Sequence, residues 1–176
     1  KDKLKKYSPK YNEIASLPFK ALKVNLYDAF FMRQPSSWGQ AWSSKMWKDF
    51  EDWYLDNTDY DFSNDTIPFN VKSWSESSWK KYFQAYLIET DKYFLYPYYG
   101  FSSNPARERG VHHSVKTYQF LSEIEYQDNG RGLSYPHYLN DSMVYDQYME
   151  ANSELLNSSM DIEEEGVCFN LYGCKP

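Results

Sequence analysis

Between residues 100 and 113 the chain carries the side chains best suited to chemistry on a charged ligand: Arg107, Glu108 and Arg109 in a polar loop with Pro105, then His112 and His113. Guanidinium groups can clamp an anion through charge-assisted bidentate hydrogen bonds, although basic residues of a loop are also ordinary surface charges. Neutral imidazole ligates divalent metals, and a histidine in such a loop is otherwise simply solvated. A second pattern, Asp59-Tyr60-Asp61, has the letters of an acidic metal motif, but it sits in a polar stretch without a preceding strand to aim it, so it is not read as a metal site. Cys168 and Cys174 cannot complete a structural zinc site and are read as free thiols of a reducing cytoplasm. Trp38 and Trp42 flank Gly39, where the missing side chain allows close backbone approach to a ligand. Trp38 is the candidate to stack on a ligand, while Trp42 belongs to a helical stripe and is assigned to the core.

Those residues must be positioned by the elements between them. A strand with imperfect alternation is read within residues 23–33, from Val24, Leu26, Phe30 and Phe31, leading into Pro35-Ser36-Ser37-Trp38-Gly39. A helix follows Trp42, with Ser43 or Ser44 as its N-cap and Trp42, Met46, Phe50 and Trp53 on its apolar stripe. Residues 56–70, rich in Asp and Asn, read as a loop. A second helix is expected to start within residues 75–78 and to run to about Thr90, burying Trp79, Phe83, Tyr86 and Leu87. A short strand over residues 93–96 stops at Pro97. A third helix is expected over residues 142–156 and a closing strand over residues 167–173, while residues 1–19 are expected to wrap an edge.

The whole is 176 residues with 41% hydrophobic content, enough for one domain with a real core. Aromatic residues make up 20%, including 18 Tyr and 6 Trp, more than a small core needs, so some rings must line surfaces. Such rings suit sugars, and a Tyr-rich core with hydroxyls reaching solvent is the plain alternative. A net charge of -6 with a pI near 5.1 argues against a nucleic-acid partner, since no basic stripe exists to displace counterions from phosphates. No apolar run approaches the ~20 residues that span a bilayer. The chain opens at Lys1, the form expected of a segment cut from a longer protein.

Three blocks in order resemble bacterial family 2 glycosyltransferases that build capsular or lipopolysaccharide sugars. Residues 27–50 contain F-M-R-Q-P-S-S-W-G-Q-A-W, similar to that family's F-x-R-x-x-S-S-W-G-x-A-W block. Residues 77–83, S-S-W-K-K-Y-F, followed by F-L-Y-P, are similar to its D-S-W-x-x-R-W helix and L-Y-P strand. Residues 102–112, S-S-N-P-A-R-E-R-G-V-H, resemble its S/T-N-(I/F)-x-x-x-G-T-H loop. Ser36-Ser37-Trp38-Gly39 is the strongest piece.

The resemblance implies the C-terminal, acceptor-side portion of a GT-A type enzyme, an α+β unit over residues 1–176 with two or three helices and a few short strands. The nucleotide-binding half, with its acidic metal motif, would lie upstream. It implies transfer of a sugar with inversion from a nucleotide-sugar donor to a glycan or lipid-linked acceptor, the isolated chain being inactive. It also implies a divalent metal, Mn²⁺ or Mg²⁺, in the full-length enzyme, held in part by His112, with Arg107 and Arg109 on the diphosphate and Trp38 and Gly39 at the sugar. The family's base position is Ser77 here, so Glu76, one residue upstream, is the catalytic candidate; a carboxylate opening a helix otherwise serves the helix dipole. The family's Arg-Trp is replaced by Tyr82-Phe83. A cytoplasmic location, peripheral at the inner face of the membrane, and a homodimer through the exposed docking surface are further expectations. A non-catalytic carbohydrate-binding or protein-interaction module is the alternative.

Overall fold

The computed structural model describes residues 27–37, 39–101, 130, 132–152, 170 and 175. They form an α+β unit in which a three-stranded mixed sheet packs beside three helices. Strand β1 (Ala29–Met32) is central, antiparallel to β2 (Phe94–Pro97) and parallel to β3 (Val144–Tyr145). The register sets Phe30 opposite Tyr96 and Phe31 opposite Val144. Because side chains alternate along a strand, Phe30 and Met32 share one face, where they pack with Met143 and Tyr145. The Phe30 ring stacks on Tyr96 and meets Tyr145 edge-on, an arrangement that aromatic quadrupoles favour. Residues 132–152 are tied to this strand by Asp28, whose N–H donates to Ser134 O at 2.7 Å, and by Ser142, whose Oγ donates to Ala29 O at 2.6 Å.

Helix α1 (Ser44–Asp56) starts where a serine cap was expected: Ser43 Oγ accepts the Met46 N–H at 3.1 Å, satisfying one of the orphan donors of the first turn. Lys45–Asp49 and Lys48–Asp52 pairs line its solvent face. Its contact with the core centres on Phe50, which meets Phe83 at 4.7 Å and Tyr86 at 5.4 Å between ring centroids. The first turn projects beyond that contact, so Met46, expected on the buried stripe, is 57% exposed, while Trp42 and Trp53 are partly buried against the cluster.

A one-turn helix, α2 (Phe69–Lys72), interrupts the stretch read as loop. One turn is too short for a hydrophobic period to register, and what forms it is Pro68, whose fixed φ suits the entry, with Ile67 and Val71 buried against Ala85. Helix α3 (Trp79–Glu89) is the hub of the unit. Phe83, Tyr86 and Leu87 face α1, Ala85 faces α2, and Gln84 reaches the end of β1. Trp79, expected in the core, is 39% exposed at the first turn, although its ring still borders Phe83.

The helix expected over residues 142–156 is not formed in the part that is described. A one-turn 3₁₀ segment (Leu139–Asp141) leads into β3, and a tight turn returns the chain so that Ala151 bridges Tyr145. Asp146 decides the matter locally, because its Oδ1 accepts the N–H groups of Tyr148 (2.8 Å) and Glu150 (3.0 Å) and competes with helical hydrogen bonding. Residues 153–156, the closing strand over 167–173 apart from Asn170, both cysteines and the block over residues 1–19 lie outside the described residues. Among the described residues no helix is long and apolar enough to cross a membrane.

Candidate functional site

The chain leaves β1 through Arg33 and Gln34, turns at Gly39, and enters α1 beyond Trp42. Gly39 has a φ of +62°, in the left-handed region where a Cβ is strained, so glycine is needed for the turn itself. Trp38 lies outside the described residues. The loop is pinned at its start by two side chains from other elements: Gln84 Nε2 donates to Arg33 O at 2.7 Å, and the Tyr96 hydroxyl donates to Gln34 O at 2.6 Å. Burial pushes the Tyr96 phenol well above its ordinary range, opposed by a hydrogen bond with Ser36, which keeps it a neutral donor at physiological pH. The Arg33 guanidinium lies over the Tyr93 ring, 4.3 Å from its centroid, and bonds Asp91 and the Tyr93 hydroxyl.

Glu76 lies in the Ser75–Ser78 turn ahead of α3, outside the first helical turn, and that turn holds no acidic residue. Its carboxylate therefore does not serve the helix dipole from within α3. Oε1 meets Lys81 Nζ at 2.5 Å, and the contrast in burial is large: the Glu76 side chain is 78% exposed and that of Lys81 only 1%. Phe62 covers the same ammonium, with its ring centroid 4.5 Å away. Glu76 is thus the anionic partner that lets Lys81 be buried. Its Oε2 has no partner among the described residues.

Tyr60 turns inward from the Asp59-Tyr60-Asp61 stretch to pack on Trp53 and Phe62. Burial, and then a hydrogen bond with Glu89, push its phenol far above the ordinary value. Asp61 is engaged locally: Ser63 N and Oγ both donate to it, and the backbone bond leads in holding its carboxyl below the usual range. Among the described residues no three His, Cys, Asp or Glu side chains converge on one point. Arg107, Arg109, His112 and His113 lie outside the described residues, so the expected metal and diphosphate contacts have no described geometry.

Sequence reasoning passed over three buried polar residues. Lys81 and Gln84 sit on a helix whose apolar pattern gave no sign that polar side chains would be enclosed, and Glu150 was placed in a helix that does not form. Glu150, with its side chain fully buried, faces Lys175 Nζ at 3.0 Å, and Asp146 Oδ2 meets the same ammonium at 2.6 Å.

The two motif blocks within the described residues are neighbours in space. Trp42 of the first lies 4.6 Å from Phe83 of the second, and the F-F-M-R and F-L-Y-P segments pair as β1 and β2. No protein-family model, curated protein or solved structure matches the chain. The class established by the structure is therefore a small α+β unit with a mixed sheet.

Proposed function

We propose that this chain is the acceptor-side portion of an inverting GT-A type glycosyltransferase that adds a sugar from a nucleotide-sugar donor to a bacterial surface glycan, with the nucleotide-binding half supplied from outside these residues. One observation carries the reading. Two sequence blocks that resemble the family, with residues 51–76 between them, fold against each other as strand pair and helix pair, and the loop that follows β1 is pinned at Arg33 O by Gln84, the residue after the S-S-W-K-K-Y-F segment.

In this reaction the acceptor hydroxyl oxygen attacks the anomeric carbon as the bond to the diphosphate breaks, and a carboxylate takes the hydroxyl proton. Glu76 serves as that base through Oε2, with Oε1 anchored on buried Lys81. Arg107 and Arg109 would meet the leaving diphosphate and Trp38 and Gly39 the sugar, while His112 would help hold a Mn²⁺ or Mg²⁺ whose charge offsets that of the leaving group. The exposed side chains of Trp47 (49%) and Leu95 (42%) supply apolar surface of the kind a missing half would cover. The same exposure supports the second reading, a carbohydrate-binding or protein-interaction module.

Calorimetric titration with UDP and GDP in the presence of Mn²⁺, repeated with His112→Ala, tests the proposal. The expected result is metal-dependent nucleotide binding by the chain joined to its upstream half, which His112→Ala weakens. A folded chain that binds neither nucleotide, alone or joined to its upstream sequence, would overturn the transferase reading.

A further inference from the structure

We propose that Lys80 is a modification site, its side-chain amine accepting acyl groups from acyl phosphates faster than any other described lysine of the folded chain. The surroundings of those lysines differ. Lys45 and Lys48 pair with Asp49 and Asp52, Lys72 lies 3.8 Å from Asp65, Lys81 meets Glu76, and Lys175 stands between Asp146 and Glu150. Lys92 bonds the Tyr86 hydroxyl. Lys80 has neither a carboxylate nor a hydrogen-bond partner among the described residues. Its ammonium lies 5.1 Å from the centroid of the Trp74 ring, and the residue is half-buried.

The place of Lys80 in the fold adds to this. It is the second residue of α3, helical side chains lean toward the N-terminus, and the first turn holds no acidic residue, so the ammonium stands uncompensated at the positive end of the helix dipole. The nearest carboxylate in sequence, Glu76, is turned to Lys81 instead. The Trp74 face favours the cation, but burial prevails and holds Lys80 below the ordinary lysine value. The free amine is the nucleophile, and each effect that disfavours the ammonium enlarges its share. In the reaction Nζ attacks the carbonyl carbon of the acyl phosphate; a C–N bond forms, the C–O bond to phosphate breaks, phosphate leaves, and the amine proton passes to solvent. At Lys80 the neutral amide product relieves both desolvation and the dipole, whereas at Lys45 or Lys48 the same step breaks an ion pair. None of this rests on the transferase reading.

The test incubates the whole chain with acetyl phosphate at neutral pH and follows acetylation of each lysine over time by peptide mass spectrometry, in the folded chain and again in urea. From the missing ion pair and the helix dipole together, Lys80 should react roughly 3- to 30-fold faster than Lys45 in the folded chain, and unfolding should bring the two rates together. Ser77→Asp sets a carboxylate three residues before Lys80 at an exposed position, and should slow Lys80 about 2- to 5-fold while leaving Lys45 as it was. Equal rates at Lys80 and Lys45 in the folded chain overturn the proposal. So does a lead for Lys80 that persists in urea, which would belong to the local sequence and not to the fold. An undiminished rate at Lys80 in Ser77→Asp would refute the electrostatic cause.

Discussion

Lys175 stands between Asp146 Oδ2 and Glu150 Oε2, at 2.6 and 3.0 Å, with side-chain exposures of 13% for the lysine, 16% for Asp146 and 0% for Glu150. Replacing it by Met keeps most of the stem and removes the ammonium, leaving two carboxylates facing each other with one wholly enclosed. Removing one partner of a buried ion pair costs roughly 3–5 kcal/mol, and for a chain of this size each kcal/mol moves the melting temperature by roughly 2–4 °C. Lys175→Met should therefore melt on the order of 10 °C below wild type. Urea unfolding followed by circular dichroism at neutral pH gives the same quantity as a free energy. Adding Glu150→Gln should recover a large part of the loss, since the buried charge is then gone, whereas Lys45→Met, which breaks an exposed pair with Asp49, should change nothing measurable. A loss under about 1 kcal/mol for Lys175→Met, or no recovery in the double variant, would refute the claim that this ammonium is needed for Glu150 to be buried.

At alkaline pH the buried phenols should govern stability. Burial, with the neighbouring Asp146 charge, pushes Tyr148 from 10.0 up to about 12, and its hydroxyl donates to Asp65 O at 2.9 Å. A raised folded value means that its contribution is complete below the ordinary phenol range and is lost as pH climbs through about 12, on the order of 2 kcal/mol in all. Urea midpoints for wild type should fall above about pH 10, and Tyr148→Phe should flatten that fall; an unchanged slope would assign it to other groups. Gly39→Ala should cost about 1–2 kcal/mol in the same unfolding assay, from the positive φ alone, and a neutral result would mean that the turn relaxes to accommodate a side chain.

Much of the framework was readable because it is local. Ser43 announces α1, the apolar spacing over residues 79–89 announces α3, β2 lies one residue from its expected position, and β1 falls within the later part of the stretch read as a strand. The departures come where distant chain decides. The stretch over residues 142–156 reads as a helix until the N–H groups of Phe31 and Arg33 and the Asp146 side chain compete for its backbone, and Met46 belongs to an apolar stripe but is left exposed in the first turn. In the candidate site Glu76 could be named from the motif, but its tie to Lys81 could not, because only the packed structure reveals that a lysine on α3 is enclosed. Gln84 carries no sequence signal at all: its meaning lies in which backbone carbonyl it reaches.

The central position of β1 also bears on how much change the chain can absorb between its elements. Tyr96 of β2 bonds a residue 62 positions back, and Ser142, at the entry to β3, bonds one 113 positions back. In closure entropy the second exceeds the first by less than one doubling, hence by no more than about 0.6 kcal/mol. Ser142 Oγ on Ala29 O and the parallel pairing of Phe31 with Val144 are enough to offset that difference. The two edges of the sheet are therefore joined to β1 at nearly the same entropic cost, although one partner lies almost twice as far along the chain as the other.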